Sequence, residues 1–218
     1  MDNKLFIKNL QMLLVESQVD NVATLELTRV MREKIKEIGV VRFIEEIAMP
    51  FGCLVNESWE HNQLNAFVSH AYKIQMIQLL SEVILTKRKN VYKKHEPKVL
   101  VSGFQGEKQV LGLFVIEASL CEIGAFCINL GSNVPVQEIV NAAKYYEANI
   151  VALSVSRTFN KRLAMSLIRE TRTKLPTDIE IWIVGSEVDY VDGFDYVKKL
   201  DKVSDCLTAY NEIKKQHV

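Results

Sequence analysis

The sequence predicts a helical bundle followed by an α/β domain, the latter a doubly wound parallel sheet. Three observations predict it. Up to about residue 90, apolar residues recur at helical spacing only. From Lys98 onward, short β-branched runs alternate with helical patterns, as in successive βαβ units. Between them lies Lys87 to Lys98, a polar, basic stretch containing Pro97, which reads as a linker. The chain is thus expected to divide into a four-helix bundle over 1–90 and a parallel-sheet domain over 98–218.

Each element has its own warrant. Leu5, Ile7, Leu10, Leu13 and Leu14 give a first helix one apolar face. Asp20 and Asn21 break the chain and cap a second helix, which carries Leu25, Leu27, Val30, Met31, Ile35 and Ile38 and ends at Gly39. A third helix opens near Val40 and meets Pro50. A fourth runs over about 63–86 with Phe67, Ala71, Ile74, Ile77, Leu80 and Ile84 facing inward. Short joints make the four antiparallel. In the second half, strands are expected at 99–101, 125–130, 150–155 and 179–184, with a weak fifth near Tyr196. Helices are expected at about 107–122, 136–147, 159–174 and 200–215.

Composition narrows the function classes. Apolar residues at 48% and charged residues at 25% suit a globular chain with a full core. A net charge of zero argues against a broad nucleic-acid surface, which needs a basic excess. No apolar run approaches the roughly 18 residues of a membrane span, and the first residues carry no signal-peptide pattern. A cytoplasmic location without a membrane partner is the expectation. Cys53, Cys121, Cys127 and Cys206 form no Cys-x-x-Cys pair and read as reduced, mostly buried thiols.

The most informative stretch is Gly106-Glu107-Lys108-Gln109-Val110-Leu111-Gly112-Leu113, just after the first strand. Loops at the carboxyl ends of strands are where open α/β sheets bind ligands. The stretch is neither a dinucleotide fingerprint nor a phosphate-binding P-loop, since it lacks both glycine patterns. Glu107 is expected in the first turn of the following helix, where a carboxylate complements the helix dipole.

This stretch resembles the Gly-Glu-x-His-x-x-Gly-Leu signature of the cobalamin-binding sensory domain of MerR-type transcriptional regulators. Glu107 stands for the acid and Gly112 for the glycine, while Gln109 stands where the family has the histidine below cobalt. Three later turns fit the same resemblance. Leu130-Gly131-x-x-x-Pro135 matches the turn after the second strand, and Ser154-x-Ser156 matches the Ser-x-Ser/Thr that lines the nucleotide tail. Gly185-Ser186 stands where the family has Gly-Gly, so Ser186 adds a side chain beside the tail. In the helical half, the family's cap carries proline, a tryptophan nine residues on, and Glu-His ten and eleven residues after that. Here those positions hold Pro50, Trp59, Ser69 and His70, so only the glutamate is changed.

The resemblance implies a regulatory sensor domain with an altered cobalt site, acting through ligand- or partner-dependent oligomerisation. Cobalamin is the cofactor it implies. Expected partners are a second copy or a regulatory protein, with DNA reached only through a separate module outside this sequence. Two further readings stay open at this point: a working cobalamin or other tetrapyrrole binder, including a photosensor, and a corrinoid carrier subunit in methyl transfer. An interaction scaffold without ligand is the plainest alternative. No nucleophile–base pair, metal triad or phosphate loop is evident, so an enzyme is not expected.

Overall fold

The computed structural model describes residues 3–16, 21–88, 97–185, 188–191 and 193–216. The chain divides into two compact units, Met1–Val83 and Ile84–Val218. Most of the expected linker, and Ser186, lie outside the described residues.

The first unit contains α1 (Asn3–Glu16), α2 (Asn21–Ile38), α3 (Val40–Phe43), α4 (Met49–Glu60) and most of α5 (Ala66–Arg88). A π-helical turn, Ile44–Ala48, joins α3 to α4 without a break. Pro50 therefore does not end the third helix. The widened turn carries the Met49 N–H to the Ile44 carbonyl, and Pro50 falls in the first turn of α4, where its missing N–H costs least.

The buried faces are rotated from the expected ones. Phe6, Leu10 and Leu14 of α1, Leu27 and Met31 of α2, and Val68, Tyr72, Met76 and Leu79 of α5 are buried. Leu5, Leu25, Phe67 and Ile74 are exposed instead. Lys34 shares the inner face of α2, with its ammonium over the Phe6 ring at 5.4 Å and bonded to Glu37 at 2.9 Å. A long lysine stem packs as an apolar side chain does, so its position was invisible to a hydrophobic count.

The second unit holds β1 (Lys98–Ser102), α6 (Leu111–Glu122), β2 (Phe126–Asn129), α7 (Val136–Tyr145), β3 (Ile150–Ser154), α8 (Lys161–Lys174), β4 (Glu180–Val184), β5 (Val197–Leu200) and α9 (Val203–Gln216). All strand pairs are parallel, in the order β2-β1-β3-β4-β5. Every residue of β3 is buried, which is why that strand reads as an unbroken apolar run rather than an alternating one. Leu100, Val151, Leu153, Ile181 and Ile183 pack with Ile139 and Val140 of α7 and Ile168 of α8. α6 pairs with α9, and α7 with α8. The order reverses between β1 and β3. Their carboxyl ends form the switch point at which such sheets leave a crevice.

Candidate functional site at the β1–β3 switch point

The loops after β1 and β2 are laced together. Gly103 N–H donates to the Gly131 carbonyl at 3.0 Å, and Val134 N–H returns a bond to the Gly103 carbonyl at 3.0 Å. Gly106 N–H donates to Asn133 Oδ1 at 2.8 Å. Gly131 and Asn133 both adopt positive φ, 84° and 60°, which the turn Leu130 to Pro135 needs to bring its backbone under the first loop. Phe104 is fully buried, and bridges to Val134.

Glu107 is the buried centre of this arrangement, at 2% exposure. Its Oε1 accepts the Gln109 N–H at 2.8 Å and the Ser156 hydroxyl at 3.0 Å; its Oε2 accepts the Ser156 N–H at 2.8 Å. The carboxylate is thus satisfied by protein donors, as burial of a charge demands. It does not lie within the first turn of a helix, as the sequence suggested. α6 opens only at Leu111, because the carboxylate is drawn across to the loop after β3. The Tyr190 phenol is pushed above its ordinary range by burial, with the nearby Glu107 charge adding to it.

The remaining residues of this loop set differ in exposure. Gln109 is exposed, and its backbone N–H bonds the Glu107 carboxylate. Gly112 lies against Ser154, such that a Cβ there would come within 2.4 Å of the Ser154 hydroxyl oxygen. Gly185 lies against backbone, where a Cβ would meet the Val155 carbonyl oxygen at 2.2 Å. Ser156 also pairs with Thr158 between hydroxyls, at 3.2 Å. Glu107, Gln109, Gly112, Gly131, Ser154, Ser156 and Gly185 therefore share the carboxyl edge of the sheet. Asn133, Thr158 and Tyr190 join them without having been singled out in the sequence. Asn133 and Thr158 had a faint signal, as polar residues in loops flanking a parallel strand; Tyr190 had none.

Trp59 and His70 belong to the first unit. Trp59 is in the last turn of α4 and 46% exposed, and His70 is exposed in the first turns of α5. Ser69, where the family carries glutamate, is buried. Cys121, Cys127 and Cys206 are buried, in keeping with mostly buried thiols, while Cys53 is exposed on the face of α4 that does not carry Phe51 and Val55. Among the described residues no cluster of three or more histidine, cysteine or acidic side chains could hold a metal ion. Nor is any helix among them long and apolar enough to cross a membrane.

Comparison with solved structures places this architecture. The monomethylamine corrinoid protein of Methanosarcina barkeri superposes with a TM-score of 0.71 over 94% of this chain and 96% of that one, at 15% identity. The fold is that of corrinoid proteins. The methanol:cobalamin methyltransferase complex MtaBC of the same organism matches at TM-score 0.51, covering 95% of this chain and 80% of that one, at 13% identity. In sequence, the HTH-type transcriptional repressor CarH of Myxococcus xanthus is 23% identical over 161 residues, which is 72% of this chain and 51% of the repressor. The chain thus matches about half the length of that relative. No family model matches the sequence.

Proposed function

We propose that this chain is a cytoplasmic sensory or regulatory domain built on the cobalamin-binding fold, with a cobalt site that has lost its imidazole. The observation that carries this reading is the reach of its similarity to the repressor. The 161 matched residues are more than either compact unit contains, so the likeness runs through both the helical and the α/β unit. Such a domain performs no chemistry of its own. It acts by changing its association with a second copy or a regulatory partner, and reaches DNA through a separate module.

The residues present do not fit a cobalt held from below by protein. Gln109 offers a carboxamide where a transition metal favours imidazole nitrogen, and the 103–110 loop contains no histidine. Glu107 is engaged by Ser156 and the Gln109 backbone rather than by a side chain it could orient. Gly112 and Gly185 pack directly against Ser154 and the Val155 carbonyl, so neither faces open space. These contacts support a degenerate site.

The second reading, a corrinoid carrier in methyl transfer, is favoured by the superposition on the monomethylamine corrinoid protein. Fold similarity at that identity does not choose between carrier and sensor. The test is a titration of the full chain with hydroxocobalamin and adenosylcobalamin in darkness, followed by gel filtration with light scattering. Weak binding that leaves the column with the free cofactor, alongside a concentration- or partner-dependent change of assembly, is expected. Tight retention of a corrinoid with no change of assembly would instead support the carrier.

A further inference from the structure

The underside of α6 carries a second cluster of reactive groups, linked to the switch-point loops through Asn129, whose Oδ1 accepts the Gly131 N–H at 2.9 Å. Glu117 and Cys121 stand one turn apart on α6, and Cys127 and Asn129 alternate onto the same side of β2. Between them the chain reverses through a tight turn: Gly124, at φ 81°, donates its N–H to the Cys121 carbonyl at 3.1 Å, and Ala125 donates to Leu120 at 3.0 Å. That turn folds β2 back along the helix, where the Asn129 amide meets Glu117, so that Cys121, one turn on from Glu117, and Cys127, two residues back from Asn129, come to lie beside each other.

A cation completes the cluster. Arg88 donates to Glu117 Oε1 and to the Cys127 carbonyl, the latter at 3.1 Å. Asn129 holds the second Glu117 oxygen at 2.7 Å. Both thiols are buried, and the Arg88 side chain that bonds Glu117 and the Cys127 carbonyl is 47% exposed. Cys121 lies below the ordinary thiol range, chiefly through the hydrogen bond from Cys127, with Arg88 assisting and burial and Glu117 opposing. Cys127 lies well above that range because it donates that bond in a fully buried position. One thiol is poised to attack and its neighbour to resolve.

We propose that Cys121 and Cys127 form a peroxide-oxidised dithiol, with Cys121 the attacking and Cys127 the resolving sulfur. The Cys121 thiolate attacks one oxygen of hydrogen peroxide; an S–O bond forms, the O–O bond breaks, and hydroxide leaves as water on taking a proton. The Cys127 sulfur, giving up its proton, then attacks the sulfenic sulfur; the S–S bond forms and the S–O bond breaks, releasing a second water. Two thiols and one peroxide become one disulfide and two waters. The product ties α6 to β2.

The experiment treats the reduced full chain with hydrogen peroxide, blocks the remaining thiols with N-ethylmaleimide after unfolding, and weighs tryptic peptides. Lys108 and Lys144 bracket both cysteines with no basic residue between, so the pair falls in one peptide. Expected is a 109–144 peptide lighter by two hydrogens and free of maleimide, restored by dithiothreitol, while the buried Cys206 takes maleimide throughout. Two maleimides on that peptide when the exposed Cys53 is already fully oxidised overturns the proposal. The sulfenic trap dimedone assigns the roles: it should label Cys121 in Cys127→Ser and leave Cys127 unlabelled in Cys121→Ser. Label on Cys127 instead overturns the assignment of Cys121 as the attacking sulfur.

Discussion

The Oε2 atom of Glu107 accepts the backbone N–H of Ser156 at 2.8 Å, across 49 residues of chain. One buried carboxylate thereby joins the loops that follow the two strands at the switch point. Glu107→Gln keeps the size but turns an amide donor toward Ser156 donors. The second unit should lose about 1–3 kcal/mol, the cost of leaving a buried donor unmatched. Urea unfolding followed by tryptophan fluorescence checks it, since Trp182 is fully buried in β4. Unchanged stability would mean that the bonds are dispensable.

Gln109→His is expected to raise affinity for cobalamin, because it returns an imidazole to an exposed position beside an intact loop frame. An increase of tenfold or more, about 1.4 kcal/mol, is expected in dissociation constants measured by visible absorbance. Wild-type binding that is already tight, and unmoved by the substitution, would defeat the degenerate-site reading.

The two glycines of the site should respond differently to a methyl group. Gly112→Ala meets only the Ser154 hydroxyl, a side chain that can turn, so the loss should be about 1 kcal/mol and largely recovered in the double variant with Ser154→Ala. Gly185→Ala meets the Val155 carbonyl, which cannot turn without moving the strand end. It should cost about 3 kcal/mol, with no rescue by Ser154→Ala. Equal losses and equal rescue would show that the packing differs from that described.

Acid should act on the helical unit through its surface ion pairs. Arg29, Lys34, Arg42 and Arg32 respectively hydrogen-bond Glu26, Glu37, Glu46 and Glu82 and hold those carboxyls below their ordinary range. A carboxylate depressed by folding stabilises the fold above its unfolded value and ceases to do so as pH falls through its folded value. Tm from circular dichroism should therefore be level from pH 8 to about 5 and decline below about 4. The pairs are exposed, so the decline attributable to them is small and shrinks further at high salt. A Tm that rises on acidification would contradict the sign.

Much of the second unit was legible because its strands are buried on both sides and leave no polar interruption: Val99 to Val101 and Ile150 to Ser154 announce themselves. The start of α6 was not legible. Glu107 looks like a helix-opening acid in sequence, and only the partner supplied by Ser156 shows why the helix waits until Leu111. A place in the loops at the sheet's carboxyl edge was readable where a turn needs glycine, as at Gly131, and silent where a side chain merely arrives from elsewhere, as with Tyr190. In the first unit the helical spacing was legible and the rotation of each helix was not. Leucines are spread around α1 and α5, so the buried stripe was decided by neighbours such as Lys34 over Phe6. The thiol contact across the Gly124 turn was hidden because a six-residue spacing matches no metal or redox motif.

Arg88 has a further consequence for how this protein can be cut. β2 is the outermost strand of the sheet, and an outermost strand offers bare peptide groups to any other chain that can pair with them. Here the Cys127 carbonyl is stoppered by a guanidinium borne on the last residue of α5, not on the strand itself. A truncated protein beginning at Lys98 would keep every strand and yet lose the stopper. Such a fragment would present one more bare carbonyl at the sheet's edge, and light scattering should find it self-associating more readily than the full chain.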